Sequence, residues 1–260
     1  NKYLYFIING LKYRKNKYDV SIAAKTGTGS ANGFFPFILG AKERISYVPN
    51  PKKWTDWLIN SPIPYNEKIY HTQHYSLSVL NLLEMSFKQV PSYLYPRLNF
   101  NHSTTKDKQI NLLVSVSNNR QSCLLSINSL AEIINSLGDE IQFKTYISAI
   151  KNDYDIARKL QNKINKSSSI KITPLLKDFI KLIDSMDICL LGEGGVMHMA
   201  AALGIPQVVL FGNTSPTTWS PLSCYASILF DKKNVNNIPK KEIIGALKNK
   251  LKAIQENKNY

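Results

Sequence analysis

The chain has 260 residues, 43% of them hydrophobic, enough for one large domain or two modest ones with cores of their own. Lys and Arg outnumber Asp and Glu by 33 to 18, but the cations are spread out and Lys dominates. That leaves bidentate Arg reading of nucleic acid little support, while a phosphorylated substrate, an anionic membrane surface or a compositional drift toward Lys, Asn and Ile stay open. No apolar run nears the roughly 20 residues of a membrane span, no signal-like cleavage site follows Tyr3–Ile8, and three scattered cysteines (Cys123, Cys189, Cys224) suit a reducing, cytosolic compartment.

Residues 1–16 have the apolar spacing of a helix, through Tyr3, Phe6, Ile7 and Leu11, and run into the basic stretch Lys12–Lys17. Asp19–Ala24 is a short strand, and the glycine-rich KTGTGSANG (Lys25–Gly33) follows it. A helix bearing Phe34, Phe35, Phe37 and Ile38 stops at Gly40, a left-handed terminator, and Ile45–Val48 is the next strand. Residues 49–66, with four prolines and two tryptophans, predict an irregular surface excursion. A helix over about 71–87 comes next. Pro91–Lys108, rich in Pro, Asn, Ser, Thr and Lys, is the linker candidate, dividing the chain into 1–105 and 106–260.

Beyond the linker, Ile110–Val116 is a near-continuous apolar run, as in a buried parallel strand. Ser126 can cap a helix carrying Ile127, Leu130, Ile134 and Leu137, closed by Gly138. Phe143–Ile147 is a strand, Tyr154–Ile164 a helix and Ile170–Ile172 another strand. Thr173-Pro174 reads as a helix start, a hydroxyl cap before a first-turn proline, for a helix burying Leu175, Leu176, Phe179, Ile180 and Ile183. Ile188–Leu191 is a strand, Val196–Leu203 a helix closed by Gly204, and Gln207–Phe211 a strand. A last amphipathic helix over about 240–254 would bury Ile243, Ile244, Leu247 and Leu251. Alternation at this spacing predicts an α/β fold with doubly wound parallel sheets.

The chemistry concentrates in LLGEGGVMHMAAALGIPQVVLFGNTSPTTWSP, Leu190–Pro221. It reads strand, glycine turn, small-residue helix, strand, and a second Gly/Thr turn. Gly192, Gly194 and Gly195 can take positive φ and admit a ligand close to the backbone. The turn feeds a helix start, whose open N–H groups and positive dipole end suit a diphosphate. Ala200, Ala201 and Ala202 allow close packing on the sheet, and Gly212 and Thr214 end the neighbouring strand at the edge where open sheets bind ligands.

With Glu193 and His198 at fixed places in the turn and FGNT…W..P after it, the segment resembles glycosyltransferase family 9, which includes the heptosyltransferases of lipopolysaccharide synthesis. That family carries D-[ST]-G-x-x-H-x-A-A-A-x-G-x-P and then LFG-x-T-x-P-x-x-W-x-P. This chain matches at Gly195, His198, Ala200, Ala201, Gly204, Pro206, Leu210, Phe211, Gly212, Thr214, Pro216, Trp219 and Pro221. The stretch Tyr18–Tyr47 looks more loosely like the family's acceptor domain. The resemblance implies a GT-B type architecture, two Rossmann-like domains facing a cleft with the N-terminal one incomplete. It implies transfer of a heptose or related sugar from a nucleotide-diphosphate donor, ADP-linked and without a metal, onto lipopolysaccharide or another surface glycan. It also implies a monomer in the cytoplasm that touches the inner-membrane surface peripherally. Glu193, Gly194, Gly195, His198, Gly212, Thr214 and Arg120 are then the donor-side residues.

Two departures matter. The family's Asp-hydroxyl pair is Glu193-Gly194 here, which leaves the donor sugar open because the acidic residue is thought to hold its hydroxyls. The family's phosphate-meeting Lys would fall in SNNRQS (Ser117–Ser122), where Arg120 is the substitute, or simply a solvated side chain. The family's general-base Asp stands in a Gly-Asp loop after its first strand, and nothing before Tyr18 supplies it; an upstream portion is therefore expected to be missing, and the catalytic residue is unknown. Lys25, Thr26 and Thr28 could touch a phosphorylated acceptor or form a plain turn. His198 could serve near the diphosphate or be a satisfied core histidine, Arg44 is expected to neutralise an acid, and Trp219 to anchor packing. His71, His74 and His102 lack a third ligand at zinc spacing. The competing readings are a remnant that binds nucleotide sugar without turnover and a GT-B nucleotide-sugar epimerase.

Overall fold

The computed structural model describes residues 2–23, 31–48, 54–64, 95–99, 109–138 and 141–258. The chain divides into two compact units, Asn1–Leu94 and Tyr95–Tyr260.

In the first unit, helix α1 (Lys2–Arg14) leads to strand β1 (Val20–Ala23), helix α2 (Ala31–Leu39), strand β2 (Glu43–Val48) and strand β3 (Ser61–Pro64). Gly10 lets α1 lie close on α2, since a methyl there would come within 2.6 Å of the Ile38 side chain; the Phe6 and Phe35 rings meet beside it at 5.7 Å. The strands are parallel in the order β1-β2-β3, over a small core of Ile45 and Tyr47. The expected irregular excursion is thus partly ordered: Trp54–Leu58 form a 3-10 turn, and β3 pairs with β2 despite Pro62 and Pro64. Proline removes a donor, which a strand pairing along one side can tolerate. Arg44, expected to neutralise an acid, instead donates from Nε to the Leu58 carbonyl at 2.7 Å and from Nη1 to that of Ala41 at 2.8 Å. The predicted helix over 71–87 and His71, His74 and His102 lie outside the described residues.

The second unit carries β4 (Ile110–Ser115), α3 (Ile127–Asn135), β5 (Phe143–Ala149), α4 (Tyr154–Gln161), β6 (Ser168–Ile172), α5 (Leu176–Asp184), β7 (Ile188–Gly192), α6 (Gly195–Ala202), β8 (Gln207–Phe211), α7 (Pro216–Trp219), β9 (Ala226–Phe230) and α8 (Lys240–Lys258). All six strands run parallel, in the order β6-β5-β4-β7-β8-β9. Alternate strand residues feed two cores. One face packs against Leu130, Ile133 and Ile134 of α3, Ala157 and Leu160 of α4, and Ile243, Leu247 and Leu251 of α8. The other packs against Ile183 of α5 and Met197 and Ala200 of α6. Burying each large aliphatic side chain contributes about 1.5–3 kcal/mol. Helices on both faces of a parallel sheet make the doubly wound arrangement that the alternation predicts.

Local signals hold where the chemistry is short-range. Ser126 Oγ accepts from the Ser129 N–H at 3.1 Å and caps α3, and Gly138 and Gly204 close α3 and α6 at φ +81° and +74°. The Thr173-Pro174 start is a miss. Helix α5 begins after an extended Leu175 (φ −96°, ψ 132°), and Leu175 and Leu176, expected in the core, are each 64% exposed. Burial on that helix begins at Phe179 and is complete at Ile183.

Candidate functional site

Strand β4 comes first in its sheet, and its neighbours β5 and β7 lie on opposite sides. The strand order therefore reverses at β4–β7, where the crevice beyond the carboxyl ends of open parallel sheets takes ligands. A cavity of about 360 Å³ opens there. Ser117, Asn118, Asn119 and Arg120 line it from the loop after β4, Ile150 and Asp153 from that after β5, and Glu193–Val196 from the β7–α6 turn. Gly194 precedes α6 without any side chain capping the helix. The first N–H groups of α6, carrying its positive dipole end, thus belong to a stretch that walls the cavity, a setting suited to an anion.

The turn glycines act differently from the sequence expectation. None of the three adopts left-handed backbone; Gly194 is extended, at φ 161° and ψ −174°. Gly192 is required by another part of the chain, because a methyl there would stand 1.9 Å from the Cys123 carbonyl oxygen. Gly212 repeats the arrangement just after β8, with the Ser122 carbonyl oxygen 2.3 Å from where its methyl would be. The segment 118–123 is thus clasped over two adjacent strand ends. Asn118 Nδ2 donates to the Glu193 carbonyl at 2.8 Å, and Ser122 Oγ donates to Asn213 Oδ1 at 2.8 Å. Space for a ligand exists at Gly195, where nothing lies within 4 Å of an added methyl.

Glu193 is 3% exposed. Its Oε2 forms an ion pair with Arg120 Nη1 and accepts from Thr214 Oγ1 at 3.0 Å, with Cys123 Sγ at 3.9 Å. The structure therefore brings together three residues singled out from sequence: Arg120, Glu193 and Thr214. Arg120, taken as a phosphate ligand or a solvated side chain, holds a buried carboxylate. His198 is exposed on α6, and neither it nor Gly212 or Thr214 is among the cavity-lining residues. Trp219 keeps 37% of its surface open, so it packs on one side. Lys25, Thr26 and Thr28 lie outside the described residues.

Sequence reasoning passed over Asn118, inside the quoted SNNRQS segment, and the pair Ser117–Asp153, whose Oγ donates to Oδ2 at 2.5 Å. Their signal was position: polar residues immediately after apolar strands, on the edge where ligands bind. Cys189 is buried and apolar surroundings push its thiol up, so it packs as a hydrophobe. Among the described residues no group of three or more His, Cys, Asp or Glu could hold a metal ion, and no helix is long and apolar enough to cross a membrane.

A parallel doubly wound domain with an anion-suited cavity at its strand-order reversal is the architecture of enzymes that handle phosphorylated ligands. The comparisons narrow this. The model of glycosyltransferase family 9 (heptosyltransferase) matches residues 11–249, and the chain belongs to that family. It is therefore a glycosyltransferase. Among solved structures it is similar to the ADP-heptose lipopolysaccharide heptosyltransferase II of E. coli, with a TM-score of 0.69 and 16% identity over 95% of this chain and 81% of that one. It is similar to a family 9 glycosyl transferase from Veillonella parvula, at 0.74 and 14% over 95% and 79%. It is also similar to E. coli heptosyltransferase WaaC with ADP, at 0.66 and 13% over 94% and 77%. Likeness at such identities establishes the fold, α/β with parallel sheets, shared with GT-B glycosyltransferases. No curated protein matches the sequence.

Proposed function

We propose that the chain transfers a heptose or related sugar from an ADP-linked donor onto lipopolysaccharide or another surface glycan. The observation that carries this is the cavity at the β4–β7 reversal, walled by the uncapped start of α6 and by Arg120. The diphosphate would lie at that helix start, where N–H groups and dipole stabilise the leaving group's charge. Arg120 would add a cationic fork. Apolar Leu124, Ile150, Leu191 and Val196 in the same wall would suit the rest of the nucleotide. Two neighbours, the E. coli enzymes, are described by ADP-heptose or ADP, which supports the choice of base. The basic composition suits an anionic glycolipid acceptor at the cytoplasmic face of a membrane, with the protein a monomer held there peripherally.

Thermal shift with ADP- and UDP-sugars tests the donor site. A ligand at 100 times its Kd stabilises by about 2.7 kcal/mol, or about 5–11 °C for a domain of this size. No stabilisation by any nucleotide sugar sinks the proposal. Stabilisation without transfer to a lipopolysaccharide acceptor supports the binding-only alternative.

A further inference from the structure

Two charged groups at the cavity differ sharply in access. Arg120 keeps 45% of its side chain exposed, while the Glu193 side chain is 4% exposed. The carboxylate meets the cavity with little surface, whereas the guanidinium beside it stays open. Glu193 is also pinned through its main chain, its N–H donating to the Leu210 carbonyl at 2.9 Å and its carbonyl accepting from Asn118. Its Oε2 is already shared by Arg120 and Thr214. The guanidinium is the opposite case. It carries five N–H donors in one plane, so contact through Nη1 leaves donors on its other edges for a two-pronged bond to an anion.

We infer that Glu193 is a positioning residue acting through Arg120: its carboxylate fixes the guanidinium toward an anion in the cavity. This rests on the donor-site reading above. The charges form a chain, negative Glu193, positive Arg120, negative diphosphate, in which the middle member is held before the ligand arrives. Clasping of segment 118–123 over Gly192 and Gly212 makes that hold rigid, since Arg120 belongs to the clasped segment.

Calorimetric titration of ADP and ADP-glucose into the wild type, Glu193→Gln, Arg120→Gln and the double variant tests the inference. Loss of a charge-assisted contact predicts roughly tenfold weaker ADP binding in Arg120→Gln. Glu193→Gln should weaken ADP and ADP-glucose by a common factor, and should change little once Arg120 is already Gln. Glu193→Gln that weakens ADP-glucose while sparing ADP would show that Glu193 touches the sugar, and would overturn the inference. So would a Glu193→Gln effect that persists undiminished beside Arg120→Gln, or single variants that bind ADP as the wild type does. Arg120→Lys keeps a cation beside Glu193 and guards against misfolding; it should bind ADP several-fold more weakly for want of the planar fork, and unchanged affinity counts against the inference. A wild type that binds no ADP, UDP or GDP fells the donor-site reading first and this inference with it.

Discussion

Gly192→Ala puts the clasp at risk by one methyl group. The added carbon would stand 1.9 Å from the Cys123 carbonyl oxygen and 3.0 Å from its carbonyl carbon. An ordinary carbon–oxygen contact is well above 3 Å, so the backbone must move by more than 1 Å. The obstacle is main chain and cannot rotate away. Cys123 is buried, and its segment is tied down by the Asn118–Glu193 and Ser122–Asn213 hydrogen bonds. Overpacking costs about 1–3 kcal/mol, and one strained hydrogen bond adds about 1, for a total of roughly 2–4. At about 2–4 °C per kcal/mol for a domain of this size, melting should fall by roughly 4–16 °C. Gly195→Ala is the control: it has the same chemistry and lies three residues away, but nothing lies within 4 Å of the new methyl. It should melt within about 2 °C of the wild type yet bind nucleoside diphosphate less well, since the methyl enters the cavity wall. Scanning calorimetry of the two variants decides. Equal melting temperatures for Gly192→Ala and the wild type would refute the clasp.

Three further outcomes are expected. Ile183→Ala should cost about 2–5 kcal/mol in urea unfolding because Ile183 is fully buried, whereas Leu175→Ala should stay within about 0.5 kcal/mol. Native protein should give one fast-reacting thiol with a disulfide reagent, Cys224, while Cys123 and Cys189 react only on unfolding. The Asp231 carboxyl is held below its ordinary value by N–H groups of Asn234 and Lys233 and by the Asn237 side chain. Its contribution to stability is therefore present above the unfolded carboxylate pKa, near 4, and fades as pH falls through the folded value. The melting gap between wild type and Asp231→Asn should close below about pH 4, and a gap independent of pH would contradict that.

How far the sequence can be read depends on the range of the forces involved. Helix α8 was visible because Ile243, Leu247 and Leu251 repeat at helical spacing, and all three are buried. The Ser126 cap and the Gly204 terminator are local chemistry, and both appear where expected. Strand β3 was hidden by Pro62 and Pro64, whose weak strand tendency yields to pairing with β2. Leu175 and Leu176 follow the apolar pattern of α5 but stand before the point where that helix meets the sheet. At the site, the glycines and Glu193 stood out from sequence, but what they touch did not. Arg120 and Glu193 are 73 residues apart, and no local pattern announces their pairing.

That separation explains why the glycine turn alone is an ambiguous signal. A glycine tolerated for its backbone angles and a glycine demanded by another segment look alike in sequence, and only the second kind fixes tertiary structure. Gly192 and Gly212 are of the second kind, at the ends of adjacent parallel strands, and both receive carbonyls from neighbouring residues Cys123 and Ser122. One short turn therefore locks the end of β4 to the ends of β7 and β8. Arg120 is carried on that turn, and Glu193 follows Gly192 directly. The ion pair is thus set by the same contacts that require the glycines. A methyl at Gly192 should then loosen Arg120 as well as the fold, and Gly192→Ala should bind nucleoside diphosphate more weakly even at temperatures where it stays folded. Full affinity in a folded Gly192→Ala would mean that the clasp and the anion site are independent.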